Sequence, residues 1–251
     1  MYSTRPILFR RGVARKHYVI TVHDLNFLYY PQFLTADSRR YYNGQINAAV
    51  RRADHILSDS EATKHDMITM LGVPADKITV HMLGVDEAFK PASPAERLRV
   101  REHLALPDAY FLFVGTFEPR KNIVGLLKAY ADLLKTHLDA PCLVLAGQRG
   151  WLFDETMAKI EQLGLSSRVL WRENVAQADL PVLYSMACAL VLPSFYEGFG
   201  LPALEAMACG TVPIVSDRAS LPEVVGDVGL QIDPDDPASL LAAMARVLGV
   251  T

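Results

Sequence analysis

The sequence has no apolar run that approaches the roughly 20 residues needed to span a bilayer. It is also poor in cysteine, with only Cys142, Cys188 and Cys209 in 251 residues and no CxxC spacing. We interpret the three thiols as free and buried in a reducing compartment, which excludes a disulfide-based scaffold. A formal net charge of only −3 excludes a chain-wide attraction to nucleic acid. We therefore expect a cytoplasmic protein with no nucleic-acid partner.

Several motifs that mark familiar chemistries are missing. The phosphate loops GxxxxGKS and GxxxxGKT, the hydrolase motif GxSxG and the metal motif HExxH do not occur, and Gly115 does not begin a GxGxxG loop. These absences disfavour a nucleoside triphosphatase, a serine hydrolase, a zinc peptidase and a nicotinamide-dependent enzyme. Hydrophobic residues make up 51% of the chain and charged residues 21%, which is enough apolar material for a globular core.

After Pro107, strand and helix patterns alternate regularly. Strands are predicted at residues 110–114, 142–146, 169–171, 189–192, 212–215 and 230–232. Between them, helical spacing is clearest at residues 123–136, where apolar residues recur every three or four positions. Nearly continuous apolar strands separated by helices are typical of parallel sheets covered on both faces. We predict an α/β fold with one complete Rossmann-like domain at residues 91–251.

The first part of the chain has fewer elements. Strands are predicted at residues 18–23, 55–59 and 78–81, and periodicity breaks at residues 84–94, where Pro91 and Pro94 indicate a linker. We predict a partial Rossmann-like domain at residues 1–90 whose first half is missing. Its start is basic and has no acidic residue among the first 23, with cations at Arg5, Arg10, Arg11, Arg15 and Lys16. These residues would support at most a peripheral contact with the inner face of a membrane.

Residues 194–210, SFYEGFGLPALEAMACG, form the most informative segment. A predicted strand leads into a glycine loop, in which Gly198 and Gly200 let the backbone approach a ligand closely. The helix that follows presents free backbone N–H groups to an anion or polar ligand. Glu197 and Glu205 have two interpretations: favourable charges near a helix N-terminus, or acceptors for sugar hydroxyls at two distant parts of one extended ligand.

A second loop, GTFEPRKN at residues 115–122, joins a predicted strand to a helix N-terminus. Arg120 and Lys121 add two cations to a helix end that already favours anions, so a diphosphate is the expected guest. Alone, this loop would be interpreted as a solvated basic surface. The diphosphate hypothesis is favoured because the carboxyl ends of parallel strands meet at one sheet edge, where ligands bind. His23 and Asp24 also end a predicted strand, and as an isolated pair they are typical of an ordinary polar strand end.

These segments together carry a family resemblance. EGFGLPALEAMACG resembles the E-x7-E signature of the retaining glycosyltransferases of family 4, which have the two-domain GT-B fold. FVGTFEPRKN is similar to the phosphate-binding loop of that family, and HDL to its acceptor-side histidine motif. LGVDEAFKP is similar to its interdomain segment, with Leu83 where asparagine is frequent, and many members carry arginine where Thr116 stands.

The resemblance implies a role for each matching residue. Arg120 and Lys121 would hold the donor diphosphate, Glu197 the transferred sugar and Glu205 the nucleotide ribose. His23 would lie beside the sugar and the incoming acceptor. The remaining implied donor-binding residues are Gly115 and Thr116 by the phosphates, Asn174 and Val175 near the base, and Gly198, Phe199, Gly200 and Leu201 around the sugar.

The implied activity is transfer of a hexose from a nucleotide-sugar donor to a hydroxyl of a glycan or lipid-linked acceptor, with retention of configuration. The sequence of the loop at residues 115–122 favours mannose as the sugar and GDP as its carrier. No metal ion or other cofactor is expected, because the family needs none and no acidic pair is placed to hold one. Two alternatives stay open: a truncated fragment that binds the donor without turnover, and a purely structural α/β module, which the two ligand-type loops disfavour.

Overall fold

The structure is a computed structural model that describes residues 17–33, 36–150 and 153–249. The chain divides into two compact units, with the boundary between Leu83 and Gly84. The basic residues at positions 5–16, on which the expected membrane contact depends, lie outside the described residues.

The first unit contains a parallel sheet of three strands in the order β1-β2-β3. Its strands are β1 (Val19–Val22), β2 (His55–Ser58) and β3 (Ile78–Val80). Its helices are α1 (Asn26–Tyr29), α2 (Ala36–Arg52) and α3 (Glu61–Leu71). Its core is formed by Val22, Leu25, Phe27, Val50, Ala53, Ile56, Met67, Val73 and Ile78.

Helix α3 shows how local sequence sets the element boundaries in this unit. The Ser60 hydroxyl accepts a hydrogen bond from the backbone N–H of Thr63 at 3.1 Å, which satisfies a donor that the first helical turn leaves free. Gly72 ends the helix in a left-handed conformation that favours glycine, with φ 64°. The predicted cap at Ser60 is confirmed.

The second unit contains a parallel sheet of six strands in the order β6-β5-β4-β7-β8-β9. Its strands are β4 (Tyr110–Val114), β5 (Cys142–Ala146), β6 (Val169–Arg172), β7 (Ala189–Leu192), β8 (Pro213–Ser216) and β9 (Leu230–Ile232). Its helices are α4 (Pro94–His103), α5 (Ile123–Thr136), α6 (Phe153–Gln162), α7 (Leu180–Met186), α8 (Leu201–Ala208), α9 (Leu221–Val225) and α10 (Pro237–Val247). The predicted α/β architecture, with one six-stranded sheet and a smaller Rossmann-like sheet, is confirmed.

The order of the strands explains where a ligand would sit. Strands β5 and β6 lie on one side of β4, and β7, β8 and β9 lie on the other. The chain therefore changes direction across the sheet between β4 and β7, whose pairing places Phe111 opposite Ala189. In open parallel sheets, such a reversal leaves a crevice beyond the carboxyl ends of the strands. The loop at residues 115–122 follows β4, and the glycine loop that begins at residue 194 follows β7. These two loops therefore flank the crevice.

The loops after β4 and β5 approach each other so closely that one position tolerates only glycine. The backbone N–H of Gly115 donates to the Ala146 carbonyl at 2.9 Å, and that of Phe117 donates to the Gln148 carbonyl at 3.2 Å. A Cβ atom on Gly147 would lie 1.9 Å from the carbonyl oxygen of Gly115. Because Gly147 has no side chain, the loop at residues 115–122 can lie directly against the loop after β5.

We expect Gly147→Ala to lower the free energy of unfolding by about 1–3 kcal/mol, since the new methyl group forces two backbone segments apart. Urea denaturation of the two proteins measures the difference. Gly84→Ala is the matched control, because a Cβ there would meet no atom within 4 Å. Equal stability of the Gly147→Ala variant and the parent chain would contradict the close packing of the two loops.

Candidate functional site

The loop after β4 places two cations directly before helix α5. Residues Pro119–Lys121 form a turn of 3-10 helix, and Asn122 then adopts a left-handed conformation with φ 53°. The Asn122 side-chain amide donates to the Pro234 carbonyl at 2.9 Å, which anchors the end of the turn. Lys121 is only 6% exposed, so its charge needs partners inside the unit.

Those partners come from the loop after β7. The Lys121 ammonium donates to Oε1 of Glu197 at 2.6 Å, and Nη1 of Arg120 donates to Oε2 at 2.7 Å. Nη1 of Arg120 also donates to the Tyr196 carbonyl at 3.1 Å, and its Nε donates to Glu118 at 2.9 Å. We call Arg120, Lys121 and Glu197 the ion cluster. It brings together three of the four predicted catalytic residues.

The ion cluster controls the protonation of Glu197. Burial of this carboxylate is the largest single influence and would raise its pKa. The attraction of Lys121 and Arg120 and the hydrogen bond from Lys121 together outweigh burial and lower the pKa of Glu197 to about 2. Glu197 is therefore ionised at neutral pH and unsuited to act as a general acid.

Two serines that sequence reasoning missed hold the loop after β7 in place. The Ser216 hydroxyl, at the end of β8, donates to the Ser194 carbonyl at 2.6 Å. The Ser220 hydroxyl lies 2.8 Å from the carbonyl oxygens of both Glu197 and Phe199. Ser220 stands just before α9, where a serine normally caps a helix, but its side chain makes no cap. Its local sequence therefore gives no signal of this role.

Gly200 sets the direction in which helix α8 starts. It has φ 102°, which favours glycine, and a Cβ atom would lie 2.5 Å from Cδ2 of Leu221. Helix α8 then begins at Leu201, immediately after the loop that contains Gly198 and Phe199. The N-terminus of the helix thus lies at the carboxyl edge of β7, as the glycine loop predicts.

Glu205 lies one turn into α8 and is half-buried. Oε2 of Glu205 accepts a hydrogen bond from the hydroxyl of Tyr184 at 2.7 Å. Burial raises the pKa of Glu205, while this hydrogen bond acts in the opposite direction. Tyr184 was not predicted as a site residue, because it lies in the apolar helix α7 and resembles an ordinary core tyrosine.

The residues predicted near the base follow β6. Asn174 is exposed, with φ 57°, and its Oδ1 accepts a hydrogen bond from the Gln148 amide at 3.0 Å. Val175 is half-buried and packs against the core. The guanidinium of Arg149 lies 5.0 Å from the ring centre of Trp171. Polar and aromatic side chains thus lie together where β5 and β6 end, at the carboxyl edge of the sheet.

Two further predicted residues, Gly115 and Thr116, begin the loop that carries Lys121. A Cβ atom on Gly115 would lie 3.5 Å from Cε of Lys121, so the lysine stem packs over this glycine. Thr116 follows it, and a Cβ atom on Gly150 would lie 3.0 Å from the Thr116 methyl group. Both residues therefore lie in the loop that carries the cations.

His23 belongs to the first unit and has a partner that sequence reasoning missed. Its Nδ1 lies 2.6 Å from Oδ2 of Asp59, which is buried at the carboxyl end of β2. The neighbouring Asp24 accepts a hydrogen bond from the backbone N–H of Asn26. Because parallel neighbours β1 and β2 end at the same edge, strand pairing rather than sequence proximity selects Asp59.

In the parts of the chain that the structure describes, no three His, Cys, Asp or Glu side chains group closely enough to hold a metal ion. Among the same residues, no helix is both long and apolar enough to cross a membrane.

Comparison with known families finds two matches. The family model described as "Glycosyl transferases group 1" matches residues 95–249. The model described as "Glycosyltransferase Family 4" matches residues 3–89. The first match alone covers more than half of the chain.

Individual relatives agree with these matches. O-antigen chain mannosyltransferase B of Escherichia coli is 40% identical over 92% of this chain, and O-antigen chain mannosyltransferase RfbU of Salmonella typhimurium is 30% identical over 92%. This chain spans 61% of the length of each. The solved sucrose-phosphate synthase of Thermosynechococcus elongatus aligns with a TM-score of 0.76 and 26% identity, over 93% of this chain and 59% of that one.

Replacement of Glu197 by glutamine tests the charge balance of the ion cluster. The parent chain should be more stable than Glu197→Gln at neutral pH, because the substitution leaves two cations without their shared anion. A carboxylate whose pKa falls from 4.5 to about 2 on folding contributes stability above pH 4.5 that is lost as the pH falls towards 2. The stability difference should therefore shrink by roughly 3 kcal/mol across this window.

Urea denaturation at several pH values between 7 and 2 measures this difference. Glu161→Gln, which changes an exposed glutamate of the same unit, is the matched control and should show little difference at any pH. A gap between the parent chain and Glu197→Gln that stays constant down to pH 2 would show that the cations do not hold the carboxylate ionised.

Proposed function

Since the chain belongs to the group 1 family of glycosyl transferases, we propose that its second unit binds a nucleotide-sugar donor in the crevice between β4 and β7. The observation that carries this proposal is the ion cluster. Arg120 and Lys121 are held together by a buried carboxylate at the point where the strand order reverses. Such reversals are where open α/β sheets bind nucleotides.

In this proposal the diphosphate of the donor binds at Arg120 and Lys121. Arg120 and Lys121 are balanced by Glu197 and by Glu118, so the diphosphate would be attracted by the N–H donors of the two cations and not by a net positive charge. The N-termini of α5 and α8 face the same edge and favour an anion. During transfer, the same cations would stabilise the charge that develops on the leaving phosphate oxygen.

The sugar and the ribose would bind beyond the diphosphate. Glu197 already accepts hydrogen bonds on both oxygens, but each carboxylate oxygen has two acceptor sites, so a sugar hydroxyl can still donate to it. Backbone N–H groups of Gly198, Phe199 and Gly200 would line the sugar, and Glu205 would accept from the ribose. Asn174 and Val175 would lie near the base, and His23 beside the acceptor.

The transferred group is proposed to be mannose and the acceptor a growing glycan or lipid-linked sugar. Support comes from the two bacterial relatives, which are named as O-antigen chain mannosyltransferases. We propose retention of configuration, with the leaving phosphate oxygen taking the proton from the acceptor hydroxyl. No metal ion or other cofactor enters this scheme. We propose that the protein works in the cytoplasm, with at most a peripheral membrane contact.

The chain spans 61% of the length of the two curated relatives. As a second candidate function, we propose that the polypeptide binds the donor without turning it over. The two candidates share the donor site and differ only in catalysis. Binding and transfer must therefore be measured separately.

Donor binding should stabilise the second unit. GDP or UDP at 100 times its dissociation constant is expected to add about 2.7 kcal/mol to the free energy of unfolding, because only the folded state binds it. Thermal denaturation with and without GDP, UDP and ADP measures the shift. No rise in melting temperature with any of the three nucleotides would refute the donor site.

The same measurement on variants locates the phosphates. Lys121→Met should lose most of the nucleotide-induced shift, since it removes one of the two cations that would contact the diphosphate. Lys128→Met is the matched control, because Lys128 is exposed on α5. The readout is the shift caused by nucleotide, so any loss of stability from the substitution itself cancels. An undiminished shift in Lys121→Met would place the diphosphate elsewhere.

Transfer is tested with GDP-mannose and the corresponding UDP- and ADP-sugars, by release of nucleoside diphosphate with and without a mannoside acceptor. We expect GDP-mannose to be used, and NMR of the product to show the α-configuration of the donor. A β-linked product would overturn retention. Nucleotide binding without product release from any donor would favour the second candidate.

A further inference from the structure

We propose that Tyr184 is a positioning residue for the ribose part of the donor site: its buried hydroxyl holds Glu205 so that one carboxylate oxygen is left to accept from a ribose hydroxyl. This inference rests on the proposed donor site and adds a residue to it. Tyr184 would not touch the nucleotide and would act only through Glu205.

Tyr184 is fixed on three sides. Its side chain is fully buried, and its ring lies 6.0 Å from the ring of Phe89. Its backbone carbonyl accepts a hydrogen bond from the Thr211 hydroxyl at 2.6 Å. Its hydroxyl donates to Oε2 of Glu205 at 2.7 Å. A phenol held in this way cannot follow a moving carboxylate, so it defines where that carboxylate stays.

The direction of this hydrogen bond follows from burial and charge. Burial, together with the neighbouring charge of Glu205, raises the pKa of Tyr184 well above its ordinary value. The phenol is therefore neutral and is the donor. Burial also raises the pKa of Glu205, and the hydrogen bond from Tyr184 works against that by stabilising the ionised form. Tyr184 thus helps to keep Glu205 an acceptor.

The second oxygen of Glu205 is the one left for a ligand. Within the residues that the structure describes, Oε1 has no hydrogen-bond partner, and the side chain is half-buried rather than enclosed. Glu205 lies one turn from the start of α8, whose N-terminus faces the crevice. A carboxylate oxygen at this level is a suitable acceptor for a ribose hydroxyl, and a nucleotide that lacks the hydroxyl leaves it unpaired.

The test compares ribonucleotides with their deoxy forms. Calorimetric titration of the whole chain with GDP, 2′-deoxy-GDP and 3′-deoxy-GDP, and with the same UDP series, gives the dissociation constants. The parent chain should bind the ribonucleotide roughly tenfold more tightly than the form lacking the contacted hydroxyl. Tyr184→Phe should still bind both forms but lose most of this preference.

Tyr130→Phe is the matched control. Tyr130 lies in α5 and is also fully buried in the second unit, and its hydroxyl donates to the Pro141 carbonyl at 2.8 Å. This variant should keep the preference of the parent chain. Glu205→Gln removes the charge while Tyr184 stays intact, and it should lose the preference as well.

A pH series separates positioning from general damage to the fold. Because the hydrogen bond lowers the pKa of Glu205, its removal should raise that pKa. As the pH is lowered, any residual preference in Tyr184→Phe should therefore disappear at a higher pH than in the parent chain. A variant that was merely destabilised would keep the pH profile of the parent.

An unchanged preference for the ribonucleotide in Tyr184→Phe overturns the inference. So does a parent chain that binds GDP and its deoxy forms equally well, and this outcome leaves the donor site standing. If Tyr184→Phe does not fold, the Glu205→Gln variant decides, and a retained preference there overturns the inference. Absence of binding by any nucleoside diphosphate instead refutes the donor site itself.

Discussion

The second unit is organised around one buried carboxylate with two cations. Glu197 lies in the loop after β7, and Arg120 and Lys121 lie in the loop after β4. A charge buried without partners costs several kcal/mol, so neither loop can leave its partner cheaply. The ion cluster therefore fixes the spacing of the two loops across the crevice between β4 and β7.

The backbone around the ion cluster also helps to fix the distance between the loops after β4 and β7. Gly147 lets the loop after β5 press against the cation-bearing loop, and Gly200 lets α8 start against Leu221. Ser220 holds the carbonyl groups on both sides of the glycine loop. Each contact comes from a neighbouring strand or helix, so the site depends on the sheet being complete on both sides of the crevice.

Much of this could be predicted from sequence, because the signals are local. Alternation of apolar strands with periodic helices indicated the parallel α/β sheet, and the serine before α3 indicated its start. Arg120, Lys121 and Glu197 are candidate site residues from sequence alone, since a cation pair before a helix and a carboxylate in a glycine loop are visible in a short segment. Their mutual ion pairs were not predicted, because the residues are 76 and 77 positions apart.

The missed residues share a physical cause: each is defined by its partner and not by its own neighbours in sequence. Asp59 matters because β1 and β2 end at the same edge, which places it 36 positions from His23 in sequence and 2.6 Å away in space. Tyr184 lies in an apolar helix, as a core residue would, and the tyrosines Tyr110 and Tyr130 are buried in the same unit with hydroxyls bonded to backbone carbonyls. Tyr184 differs from these two tyrosines because its hydroxyl donates to a carboxylate, that of Glu205. A hydrogen bond to an ionised group is shorter and stronger than one to a carbonyl, so it can fix the position of a carboxylate while its donor remains part of the core.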